Sequence, residues 1–137
     1  MENHFTLSDF EFEQQFESGT LSPELFNHEA HLRLAWIHID KYGIDKAIDN
    51  LCFQLLNYVT KLGAAHKFNK TLTVAAVKAV YHFMLRSESG TFRAFIREFP
   101  RLKYNFKDLM SCHYGVDIYN SPWAKKHFLE PDLLPFD

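Results

Sequence analysis

Apolar residues recur at helical spacing through most of this chain, and the richest run extends from Asn27 to Tyr42. Asn27 can accept a main-chain N–H as an N-cap, Glu29 puts a carboxylate in the first turn, and Gly43 is placed to end the run in a left-handed conformation. At 100° per residue, His28, His31, Ala35, His38 and Tyr42 fall in one sector, flanked by Leu32, Trp36 and Ile39. The pattern therefore predicts one helix over 28–42 whose apolar stripe carries three inward imidazoles. A buried imidazole is costly without a hydrogen bond, a metal or a ligand, so each requires a partner.

Similar grammar covers the rest. Ser8 and Glu11 form a capping box, followed by a short helix with aromatic contacts from Phe10, Phe12 and Phe16. Ser22-Pro23 starts a single turn through Leu25 and Phe26. Gly43-Ile44-Asp45 reads as a helix stop, an apolar residue folding back and a cap, and Tyr114-Gly115-Val116-Asp117 repeats the device. From Asp45 to Leu62, the residues Ile48, Leu51, Cys52, Leu55, Val59 and Leu62 make one buried face. After the polar loop at 64–69, a run from Thr71 to Met84 has almost no polar face and is the candidate for the buried centre. Shorter helices follow, around Phe92 to Phe99 before Pro100, from Asn105 to Tyr114, and from Ser121-Pro122 to Phe128. Pro131 and Pro135 keep the tail irregular, with Leu133, Leu134 and Phe136 expected to dock it. The expected fold is all-α: a single-domain helical bundle over 1–137, with five to seven helices, two of them long, antiparallel and central.

Composition narrows the function. A chain of 137 residues can bury roughly two thirds of its unfolded surface in one core. It is 47% hydrophobic and holds 14 Phe, enough bulky rings to fill that core or to line a pocket. The net charge of −2 and pI of about 6.4 argue against nucleic acid and against an anionic membrane as partners. Cys52 and Cys112 lie in apolar helical patterns without metal spacing and read as reduced core thiols. The start, Met1-Glu2-Asn3-His4, has neither a basic nor an apolar leader region, and no window is apolar enough to span a membrane. A cytoplasmic location is expected.

The local pattern with most chemistry is His28-x-x-His31, two imidazoles one turn apart. Such a pair can share a metal if further ligands arrive, and His66 or His113 are the candidates to complete the set. No Glu-x-x-His supports a carboxylate-bridged metal pair, and no nucleophile or phosphate loop announces itself, so enzyme status stays open. Arg93, Arg97, Arg101, Lys103 and Lys107 interleave with Phe92, Phe95, Phe99, Tyr104 and Phe106, which in an unfolded or strand context would make a stacking platform for single-stranded nucleic acid. In helices the same pattern gives a charged outer face, diluted by Glu98 and Asp108, over an aromatic inner one.

Phe26-Asn27-His28-Glu29-Ala30-His31-Leu32-Arg33-Leu34-Ala35-Trp36 and Glu130-Pro131-Asp132-Leu133-Leu134-Pro135 resemble the motifs of a family of small uncharacterised helical bacterial proteins. That family has Tyr-His-Glu-Thr-(Leu/Ile)-Thr where this chain has Phe68-Asn69-Lys70-Thr71-Leu72-Thr73. If the family's His and Glu join the helix pair in holding a metal, this chain has an amide for an imidazole and an ammonium for a carboxylate. Lys70 repels a divalent cation, and the cluster turns toward anions. The resulting expectation is a small anionic ligand, of no specified cofactor class, bound by His28, His31, Trp36, Asn69, Lys70 and Thr73, with Thr71 nearby. Two alternatives stand beside it: a metal-dependent enzyme using His28 and His31, and a protein-interaction module without a pocket.

Overall fold

A computed structural model describes residues 3–136. Met1 and Glu2, part of the start read above, and Asp137, the last residue of the tail, lie outside them. The described residues hold eight α-helices and no strand, as the all-α expectation requires. These are α1 (Asp9–Ser18), α2 (His28–Tyr42), α3 (Ile44–Lys61), α4 (Lys70–Met84), α5 (Phe92–Glu98), α6 (Arg101–Tyr104), α7 (Phe106–Ser111) and α8 (Pro122–Lys126). Among the described residues no helix is long and apolar enough to cross a membrane. The chain divides into two compact units, Met1–Phe68 and Asn69–Asp137.

In the first unit, the Ser8–Glu11 capping box forms, each side chain accepting from the other residue's main-chain N–H at 3.1 and 3.0 Å. Gly19 then closes α1 in the left-handed region, φ 78° and ψ 16°. Gly43 ends α2 differently: φ 86° with ψ 167° is an extended conformation nearly confined to glycine. It is at once the last cap of α2 and the first of α3, so Asp45 lies inside α3 rather than capping it. Gly115 lacks a positive φ altogether, and Val116 is 52% exposed, so the device read there is not repeated.

Residues 32–39 of α2 are buried without a break, and Ala30 is buried in the turn before them. That stretch includes Arg33, 3% exposed, which no apolar stripe accommodates without partners. The N-terminal segment supplies them. Arg33 donates to the main-chain oxygens of His4 (2.7 Å) and Leu7 (2.9 Å) and to Asp9 Oδ1 (2.9 Å). His4 Nδ1 accepts from the same guanidinium at 3.1 Å, while His4 Nε2 donates to Glu29 Oε1 at 2.9 Å. The guanidinium also lies 4.7 Å from the Phe12 ring centroid. Around it, α1 contributes Phe12 and Phe16, and α3 contributes Ala47, Leu51, Leu55 and Tyr58. Phe16, Phe26 and Tyr58 form a three-ring cluster with centroids 5.0–5.1 Å apart. Phe10, expected to make aromatic contacts, and Leu62, expected on the buried face, are 67% and 47% exposed; Leu62 follows the last residue of α3.

In the second unit, Asn69 caps α4 and also donates to Ile118 O at 2.8 Å. Thr71, fully buried, donates to His127 O (2.7 Å) and accepts from Leu129 N–H (3.0 Å). The tail docks as expected, but through Phe136 and its main chain. Leu133 and Leu134 are 58% and 57% exposed, while Phe136 stacks on His113 at 4.1 Å. Asp132 accepts the Gly115 N–H at 3.0 Å, and Leu134 O accepts from His113 Nδ1 at 2.7 Å. The Asn105–Tyr114 helix is shorter than read, ending at Ser111.

Arg33→Lys keeps the charge but loses the planar fork that reaches four acceptors at once. It is expected to lower stability by about 2–3 kcal/mol in urea denaturation, because buried carbonyl oxygens then lack their charged donor. A loss below about 0.5 kcal/mol would show that the clamp contributes nothing net.

Candidate functional site

The residues around the start of α2 are Phe26, the cap Asn27, and the pair His28 and His31. Asn27 Oδ1 accepts from Ala30 N–H at 2.9 Å, which fixes the first turn, and both imidazoles are exposed. Neither is buried in the way the apolar stripe predicted; only His38, further along, is, at 1% exposure. His31 lies over Phe26, ring centroids 4.1 Å apart and planes 28° from parallel, and its ring makes no hydrogen bond among the described residues. Although solvent reaches the ring, desolvation lowers its pKa to about 4, with His28 adding like-charge repulsion. The imidazole stacked on Phe26 therefore stays neutral at pH 7.

The other expected site residues are largely taken up by the fold. Trp36 is buried at 7% exposure within α2. Asn69 uses its carbonyl to cap α4 and its amide to bind Ile118 O, and Thr73 Oγ1 donates to Asn69 O at 2.8 Å. Lys70 is exposed at the first position of α4. His66 is exposed in a single 3-10 turn, Ala65–Lys67, and His113 Nδ1 is committed to the tail. Among the described residues, no three His, Cys, Asp or Glu side chains gather in a way that could hold a metal ion.

Sequence patterning missed a second polar group, also in the first unit. Glu13, 8% exposed, accepts from Lys41 Nζ (2.7 Å) and Tyr42 OH (2.6 Å). Burial alone would raise its carboxyl, but the hydrogen bonds from Lys41 and Tyr42 outweigh that and hold it below the usual carboxylate range. His38 lies alongside, its ring 5.3 Å from that of Tyr42. Its Nδ1 makes a long contact with the Asn50 amide at 3.4 Å, which places the ring proton on Nε2; that atom has no partner among the described residues. Burial lowers the His38 pKa, against the pull of the Glu13 carboxylate. The available signal was a charge inside an apolar rhythm: Glu13 between Phe12 and Phe16, and Arg33 between Leu32 and Leu34.

No family model, curated protein or solved structure matches this chain. The resemblance drawn from its motifs therefore stands on those residues alone.

Two predictions follow from the imidazoles. An unfolded His titrates near pH 6.5, whereas His31 does so at about 4 in the folded chain and His38 is also lowered. As pH falls from about 6.5 toward 4, the unfolded chain takes up protons that the native state refuses, and stability declines. Glu13, lowered too, loses its contribution only further down, as pH drops through its native value. Urea midpoints measured from pH 7.5 to 4.5 should show this fall, and it should be shallower in His31→Gln; parallel curves would contradict the assignment. Separately, His38→Leu removes an orphaned donor at similar volume and should leave stability unchanged or raise it by up to about 1 kcal/mol.

Proposed function

We propose that this protein binds a small anionic ligand at the start of α2, with His28 and His31 as its polar contacts and Phe26 as an apolar wall. The observation that carries this is the His31 ring, which is reached by solvent, stacked on Phe26 and without a hydrogen bond. A neutral imidazole retains one N–H donor and one lone pair, so it can hydrogen-bond a carboxylate or phosphate oxygen without first releasing a proton. The first turn of α2 adds the favourable end of the helix dipole. Glu29, the acidic residue in that turn, accepts a hydrogen bond from His4 Nε2 at 2.9 Å. Asn69 and Thr73 serve the α4 cap, so the proposal rests on α2 and needs no contribution from them.

Thermal unfolding against acetate, succinate, citrate and inorganic phosphate tests it. A ligand at about ten times its Kd stabilises by about 1.4 kcal/mol, a rise of roughly 3–5 °C for a chain of this size. His31→Ala should abolish that rise while changing the ligand-free melting temperature less than the ligand does. No response from any anion, or one that survives His31→Ala, overturns the proposal. A response to zinc alone, lost in both His28→Ala and His31→Ala, would favour the metal-dependent alternative.

A further inference from the structure

The net charge of −2 conceals an asymmetry. Residues 1–68 carry five Lys or Arg against ten Asp or Glu, and residues 69–137 carry ten against seven. The excess cations concentrate between Arg86 and Asp108, where six Lys or Arg face three carboxylates. One of those carboxylates, Glu98, is occupied by the hydroxyls of Ser87 (2.6 Å) and Ser89 (2.7 Å). The core side of this segment is apolar, with Phe92, Phe95, Leu102 and Met110 buried. Arg97, Arg101 and Lys107 are exposed on its outer side, and Arg97 and Arg101 have no acidic partner among the described residues.

Sequence patterning assigned every aromatic ring here to the inner face, which left a plain solvated charge surface. Tyr104 departs from that: it is 72% exposed, with Lys103 Nζ 5.2 Å from its ring centroid. A bare phenol ring among cations has the two elements that a nucleic-acid strand meets, a stacking platform and counter-charges for phosphate. The helices carrying them, α6 and α7, have four and six residues, too short to lie along a major groove. An exposed ring can stack only on a base that is not already paired and stacked.

We propose that the outer face of α5–α7 binds single-stranded nucleic acid, with Tyr104 stacking on a base and Arg97, Arg101 and Lys107 meeting the backbone phosphates. This proposal uses residues of the second unit and none of those at the start of α2, and the two proposals fail independently.

Fluorescence anisotropy with a labelled oligouridine of about 15 nucleotides, at about 50 to 200 mM salt, tests it. Saturable binding is expected, with log K falling against log salt at a slope of about −2 for three phosphate contacts. Tyr104→Ala should weaken binding roughly 5- to 100-fold, while Tyr104→Phe retains it. Arg97→Ala or Arg101→Ala should each reduce the slope by about 0.7. Because all three side chains are exposed, unchanged melting temperatures should accompany these losses, and His31→Ala should bind the oligonucleotide normally. Absence of binding at low salt, or binding indifferent to Tyr104→Ala, overturns the proposal. So does equal affinity for a duplex, or a preference for phosphatidylserine vesicles.

Discussion

A guanidinium lies inside the most deeply buried helix of the first unit, and that unit is arranged to satisfy it. Arg33 cannot lose its charge, so its burial at 3% exposure has to be met with acceptors. Four converge from one short stretch of chain: two carbonyl oxygens, a carboxylate and a ring nitrogen. Residues 4–9 are thereby held on α2 before any apolar packing is counted, and α1 begins where that strap ends. Placing Phe12 under the same guanidinium couples the polar clamp to the aromatic core.

The clamp also bears on the start of α2. His4 accepts from Arg33 on one nitrogen and donates to Glu29 on the other, so Glu29 is drawn toward the N-terminal strap. The neighbouring imidazoles, His28 and His31, lie at a helix end whose own carboxylate is engaged elsewhere. Further along the helix, Glu13 joins α1 to the last turn of α2 through Lys41 and Tyr42. Both ends of α2 are therefore tied to the N-terminal region by charged groups, while its middle is packed by Leu32, Leu34, Ala35 and Ile37.

Helix positions were largely legible because their signals are local. Ser8, Asn27, Asn69, Thr91 and Ser121 each accept from a first-turn N–H, as their side chains allow. Even there a rule could divide: Ser121-Pro122 makes the side-chain cap, whereas Ser22-Pro23 opens only a 3-10 turn without one. What stayed hidden depends on partners distant in sequence. Periodicity assigned His28, His31 and His38 to one face, but cannot say that only the last is sealed by α3, or that Arg33 on the same helix finds acceptors 24 to 29 residues upstream. Facing alone does not determine exposure, and Tyr104, also assigned inward, is the clearest instance.

The departure at Asn69-Lys70 has its own physical logic. One amide carries an acceptor and donors on a single planar group, so Asn69 can close the start of α4 and tie it to Ile118 at once. An imidazole at that position would have to divide those tasks between nitrogens on opposite sides of a ring. Lys70 then occupies the first position of α4, where the helix dipole favours a carboxylate and a cation is mildly unfavourable. With no acidic residue in that turn, the start of α4 is left electropositive, with its hydrogen-bonding amide already spent on the fold. Charge without a free directional donor attracts anions but does not select among them, and selection is what the unpaired ring of His31 supplies at the start of α2.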